Sequence, residues 1–271
     1  MAGYCKLSRA SNQWACSMLI FRRRIGIHST GDVTQGEVRA SLEDDFHHFR
    51  VRVAHANGKV QRVDGQAVRH PYSTCPLAAN QLSRLVNAPL NGLAHAVMRV
   101  TTPTEHCTHL LELTGLAIAA AARSISQRWY DIAVPGRVAG RTLATLDKDS
   151  SRMLAWEVLD TTILGPEPFQ GVSLRQGMAA WALGHLSEEE AEAALILRRC
   201  ALISLGRAMN LDAQVHAEPT GRCFVQQPER AALGLRKVGS IVDFTAAARD
   251  LCATDRDWLA LRDDVSADGL R

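Results

Sequence analysis

The chain has no Cys-x-x-Cys pair, no apolar run long enough to span a bilayer, no glycine-rich phosphate loop and no dense basic stripe. Each absence removes a class. Seven cysteines at irregular positions, an odd number, point to reduced thiols and a cytoplasmic setting rather than a secreted disulfide framework. The apolar runs near Trp14 to Phe21 and Leu110 to Ala122 fall short of the ~20 residues a membrane helix needs, and Glu112 lies within the second. A net charge of +3 over 271 residues nominates neither nucleic acid nor a membrane surface as a partner. Gly-x-Gly-x-x-Gly, the P-loop and Gly-x-Ser-x-Gly are missing, which argues against nucleotide-dependent and α/β-hydrolase chemistry.

What is present is a chain that can bury one substantial core. Residues 1–23, rich in Arg and Ser with no acid before Asp32, read as an extension or a misplaced start. Arg22-Arg23-Arg24 follows the apolar run instead of preceding it, against a targeting peptide. Residues 24–271 read as a single domain, with a sub-boundary near Pro166 in Gly165-Pro166-Glu167-Pro168. Strand texture runs from Arg24 to Arg69, with Asn57-Gly58 as a hairpin turn and a bulge expected near Gly65. Helical periodicity covers Leu77 to Val86, and a long helix runs from Leu110 towards Trp129. Strands are expected again at Tyr130 to Val134, Arg141 to Leu146 and Met153 to Ile163. Ser187-Glu188-Glu189-Glu190 is a capping box that opens a helix reaching about Met209, and helical patterns continue to the end. Strands followed by helices without regular alternation define an α+β protein: antiparallel sheet in the first 165 residues, packed against a buried central helix and a C-terminal helical region.

Two polar clusters stand out. Cys107-Thr108-His109-Leu110-Leu111-Glu112-Leu113 opens a helix that is apolar at almost every phase, so its thiol, imidazole and carboxylate are desolvated. His109 and Glu112, three apart, share a helical face, and Cys107 stands at the positive end of the helix dipole, where a thiolate is favoured. The plain alternative is a helix start capped by Thr108 with a satisfied buried histidine. In Asp44-Asp45-Phe46-His47-His48-Phe49, strand parity puts Asp45 and His47 on the inward face with Phe49, Val51 and Val53. Asp44 and His48 are expected in solvent. A histidine beside a carboxylate on a core-facing strand supplies proton transfer, or else a structural hydrogen bond.

Cys75, in the rigid connection His70-Pro71-Tyr72-Ser73-Thr74-Cys75-Pro76, can approach Cys107. With His109 or His47 they form a set acceptable to zinc, although two buried thiols acting as small hydrophobes is the simpler reading. Arg198, Arg199 and Arg207 read as surface charge able to pair with the acidic first turn of their helix, or as clamps for a substrate carboxylate or phosphate.

The motif order resembles a bacterial family known as a domain of unknown function, with a Pro-x-x-x-Cys-Pro segment followed by a Cys-Thr-His-Leu-x-Glu-Leu helix. The matching positions are Pro71, Cys75 and Pro76, then Cys107, Thr108, His109, Leu110, Glu112 and Leu113. His106 stands where the broader pattern has glycine. The resemblance covers roughly residues 24 to 130 and implies a domain, not a reaction. The residues themselves suggest a soluble enzyme acting on a small organic molecule by acid–base chemistry, of lyase or hydrolase type, with or without zinc. His47 is the expected general base or acid, Asp45 its orienting partner, and His109 with Glu112 a second proton-handling pair. Cys75, Cys107 and His109 form the expected metal set. The alternatives are a noncatalytic binding or scaffold protein with a closed polar network, and a fold with a structural zinc. Self-association is left open.

Overall fold

A computed structural model describes residues 19–261. Eight strands form one antiparallel sheet: β1 (Ile20–Gly31), β2 (Gln35–Asp44), β3 (His48–Ala56), β4 (Lys59–Arg69), β5 (Gln127–Pro135), β6 (Arg141–Lys148), β7 (Ser151–Leu159) and β8 (Thr162–Gly165). Their order is β4-β3-β2-β1-β5-β6-β7-β8, two meanders joined where β5 returns to pair with β1. The expected α+β architecture is what the chain adopts. The Asn57-Gly58 turn carries positive φ at both residues, as a tight hairpin between right-twisted strands requires. The register irregularities of β3 and β4 lie between His48/Phe49 and Ala54/His55, so the bulge is not at Gly65, which pairs regularly with Val51.

Directly paired residues of an antiparallel sheet share a face, and the pairing defines one apolar side running through all the central strands. On β1 it is Phe21, Arg23, Ile25 and Ile27. Ile25 pairs with Leu42 and Tyr130, Ile132 with Leu146, and Ala144 with Trp156. Two helices cover this side. Helix α1 (Thr108–Ala122) lies over β1, β2 and β3, buried nearly all round as its composition predicts. Gly115 lets the backbone of residue 94 cross it, since a Cβ there would stand 2.3 Å from the Ala94 carbonyl oxygen. After a two-turn helix α2 (Met178–His185), helix α3 (Glu188–Ile203) lies over β5, β6 and β7, its start fixed by the expected Ser187/Glu190 capping box.

The opposite side is covered near β1 and β2 by residues 251–259. Asp255 accepts from His48 Nε2 at 2.8 Å and receives Arg50 from β3. Three expectations change here. His48 is 4% exposed, not solvated, because this segment covers it from more than two hundred residues away. The central helix stops at Ala122. Beyond Ala208 the described chain runs as loops and one-turn helices instead of continued helical packing. Strand β1 also begins at Ile20, so Arg22 and Arg23 belong to the sheet; residues 1–18 of the expected extension lie outside the described residues.

Candidate active site

The Asp44 to His48 block is a turn rather than a continuous strand. β2 ends at Asp44 and β3 begins at His48, so the alternation read back from Phe49 does not carry through. The Asp44 carboxylate closes this turn: its Oδ1 accepts the backbone N–H groups of Phe46 and His47, each at 2.8 Å. The same oxygen lies 3.1 Å from His47 Nδ1. Asp44 is fully buried and faces the helices, which corrects its expected solvent position, and it, not Asp45, is the carboxylate beside His47.

Asp44 is held by Arg23, its direct cross-strand partner on β1 and itself fully buried. Arg23 Nε donates to Asp44 Oδ2 at 2.9 Å, and Nη2 makes a short second contact to the same oxygen. Burial alone would raise the Asp44 carboxyl; the Arg23 cation and the adjacent His47 overcome it and hold Asp44 far below the usual carboxylate range. Asp45 turns away to Arg207, 3.1 Å distant, and burial pushes its carboxyl up to about 7 despite that arginine. Arg207 therefore pairs with Asp45 and Asp243 and not with the acidic turn of its own helix.

His109, on the first turn of α1, meets His47 across the cleft with ring centroids 4.0 Å apart, and Phe49 stacks beneath at 5.8 Å. Burial, His47 and Arg23 together hold the His109 imidazole well below its ordinary value, so it is neutral, and its Nε2 has no hydrogen-bond partner among the described residues. Glu112, expected to work with His109, instead forms an ion pair with Arg199, Nε at 2.8 Å, and lies 3.7 Å from Arg23 Nη1. The result is a charge series, Asp44, Arg23, Glu112, Arg199, running from β2 to α3.

His47, His109, Cys75 and Cys107 all line one open cavity of about 510 Å³. Its walls come from the β2–β3 turn, the 71–75 connection, the start of α1, the end of α3 and residues 222–226. Cys107 is the α1 cap residue, a place expected for Thr108, and makes no side-chain cap bond. Its burial outweighs the helix dipole and pushes the thiol up to about 11; Cys75 and Cys223 are raised for the same reason. These are protonated thiols at neutral pH, not the thiolate the helix dipole suggested.

Among the described residues, the side chains able to bring three ligand atoms within 4.8 Å of one another are Asp44, His47 and His109, and neither cysteine of the expected metal set belongs to that group. Its donor chemistry fits a cation poorly. Both Asp44 oxygens are already engaged, Oδ1 by the turn and His47, Oδ2 by two Arg23 nitrogens, and the guanidinium puts a positive charge beside the carboxylate. Asp44 and Arg23 were the members of the site that sequence reasoning missed or misplaced; Arg199, read as surface charge or a substrate clamp, stands in it paired with Glu112. The available signals were the Asp-x-x-His spacing of an Asx turn and the placement of Arg23 in phase with Phe21, Ile25 and Ile27.

Fold and site together define an α+β protein with a buried carboxylate–imidazole pair at the wall of an open cavity. Residues 28–123 match the model of a family described as Protein of unknown function (DUF2889), a range that includes Asp44, His47, Cys75, Cys107, His109 and Glu112. No curated protein and no solved structure matches the chain. No helix of the described residues is long and apolar enough to cross a membrane.

Proposed function

We propose that the protein is an enzyme that moves a proton on a small organic substrate held in the 510 Å³ cavity, a lyase or hydrolase in type, with His47 as general base and acid. The observation that carries this reading is the His47 ring, fixed at Nδ1 by the buried Asp44 carboxylate at 3.1 Å while it lines an open cavity. An Nδ1–H donated to a carboxylate leaves Nε2 as the basic nitrogen, and the carboxylate stabilises the imidazolium formed when that nitrogen takes a proton. The His109 ring, 4.0 Å away, is kept neutral by burial, His47 and Arg23, so it sets no second cation against His47. His109 then serves as a neutral wall and hydrogen-bonding partner. The described cysteines are all unpaired, which supports the cytoplasmic setting read from the sequence.

The test is a parallel screen of the full chain and its His47→Gln variant against panels of activated esters and of β-elimination substrates. The expected result is a turnover that falls by about 10²–10⁴ in the variant, the range of a lost general base, with an unchanged melting temperature. Equal turnover in both proteins, or unfolding of the variant, overturns the assignment.

A further inference from the structure

The cavity wall is electrically one-sided. Among the described residues Arg198, Arg199 and Arg222 line it and no aspartate or glutamate does; Arg198 is engaged by the backbone carbonyls of Leu174 and Arg175, at 2.6 and 2.8 Å, so the cations on offer are Arg199 and Arg222. Arg199 forms an ion pair with Glu112, its Nε 2.8 Å from the carboxylate, and Arg222 is exposed with no ion-pair partner among the described residues. The remaining lining is largely apolar: Phe49, Leu202, Ile203 and Val225. Guanidinium groups bind carboxylates and phosphates through paired N–H donors, and an apolar wall stays wet unless the ligand brings hydrocarbon to cover it.

We infer that the cavity takes an organic oxyanion, a carboxylate or phosphate ester whose head group is received by the arginine wall and whose apolar body packs against Phe49, Leu202, Ile203 and Val225. This rests on the proton-transfer reading above and adds the substrate class to it. The anion is oriented by the wall that carries Arg199, and the part of the molecule that reacts is presented to His47 in the same cavity.

Calorimetric titration of the full chain with benzoate, phenyl phosphate and the neutral benzamide tests the inference without any turnover. At least one anion is expected to bind about tenfold or more tighter than benzamide, the equivalent of one charge-assisted contact, and Arg222→Gln to weaken that anion by a similar factor. Arg62→Gln, on the exposed strand β4, should leave it unchanged. Tighter benzoate identifies a carboxylate ligand, and tighter phenyl phosphate identifies a phosphate ester. Benzamide binding as tightly as the anions, an Arg222→Gln variant with undiminished affinity, or no saturable binding of either anion up to about 10 mM overturns the inference. A His47-dependent turnover would stand through that failure, and anion binding would stand through a failed His47 test.

Discussion

Asp44→Asn is the sharpest perturbation of this structure, because it removes one charge while keeping the shape of the side chain and an oxygen for the turn N–H groups. In the native protein Arg23 is fully buried, with Asp44 Oδ2 at 2.9 Å from its Nε. Without that carboxylate, the remaining anion near Arg23 among the described residues is Glu112, 3.7 Å from Nη1 and already engaged by Arg199. Breaking a buried pair from one side costs about 3–5 kcal/mol, a large share of the ~5–15 kcal/mol by which domains are stable. For a chain of this size that is a fall of roughly 6–20 °C in melting temperature. The assay is urea unfolding, followed by circular dichroism at pH 7.5, of wild type, Asp44→Asn, Arg23→Met and the double variant. Each single variant strands one buried charge and the double variant strands neither, so it should be more stable than the two single losses added together, with a coupling of about 2 kcal/mol or more. A cost below about 1 kcal/mol for Asp44→Asn, or additive losses, would show that the pair does not hold the β1–β2 edge of the site.

Two further outcomes follow from the same geometry. His109 is held well below the ordinary imidazole value of 6.5, so below that pH the unfolded chain binds a proton that the folded chain refuses, and stability falls as pH falls. Between pH 7.5 and 5.5 this costs at most about 1.4 kcal/mol, which His109→Gln should abolish; parallel pH dependences of unfolding for the two proteins would refute the desolvated, neutral ring. Second, because both Asp44 oxygens are committed, tag-free protein is expected to carry less than about 0.1 equivalent of zinc by elemental analysis, and stoichiometric zinc would restore a metal role to His47 and His109.

The parts of this fold that were legible in the sequence are those set by neighbours in the chain. Asn57-Gly58 specifies its hairpin through positive φ, Ser187 and Glu190 specify a helix start, and an all-round apolar segment specifies a central helix. His47, His109, Cys75 and Cys107, grouped from the sequence as one candidate set, line one cavity. What was not legible depends on pairing across the chain. Asp45 took the place of Asp44 because period-two alternation, continued from Phe49, ignores the turn that reverses the strand at Asp45 to His47. His48 was assigned to solvent because Asp255, its cover, is 207 residues away. Arg23 was grouped with a basic tail because nothing local announces a buried guanidinium; only its register opposite Asp44 makes that burial affordable.

The charge series explains why a desolvated site is built this way. Asp44 and Glu112 flank Arg23, and Glu112 in turn holds Arg199, so each buried charge has a neighbour of opposite sign. One end of the series fixes the His47 ring and the other fixes a guanidinium, and both ends open on the same cavity. The members stand on β1, β2, α1 and α3, so the spacing between the Asp44 carboxylate that anchors the His47 turn and the Arg199 guanidinium is set by the packing of two helices on one sheet. Anchoring groups held on regular elements in this way are what the proposed proton transfer on a bound anion would demand. A purely structural network gains nothing from ending at a solvent-reachable wall, where water competes for its last charge; under the proposed reading, that end is where the anion is held while the proton moves.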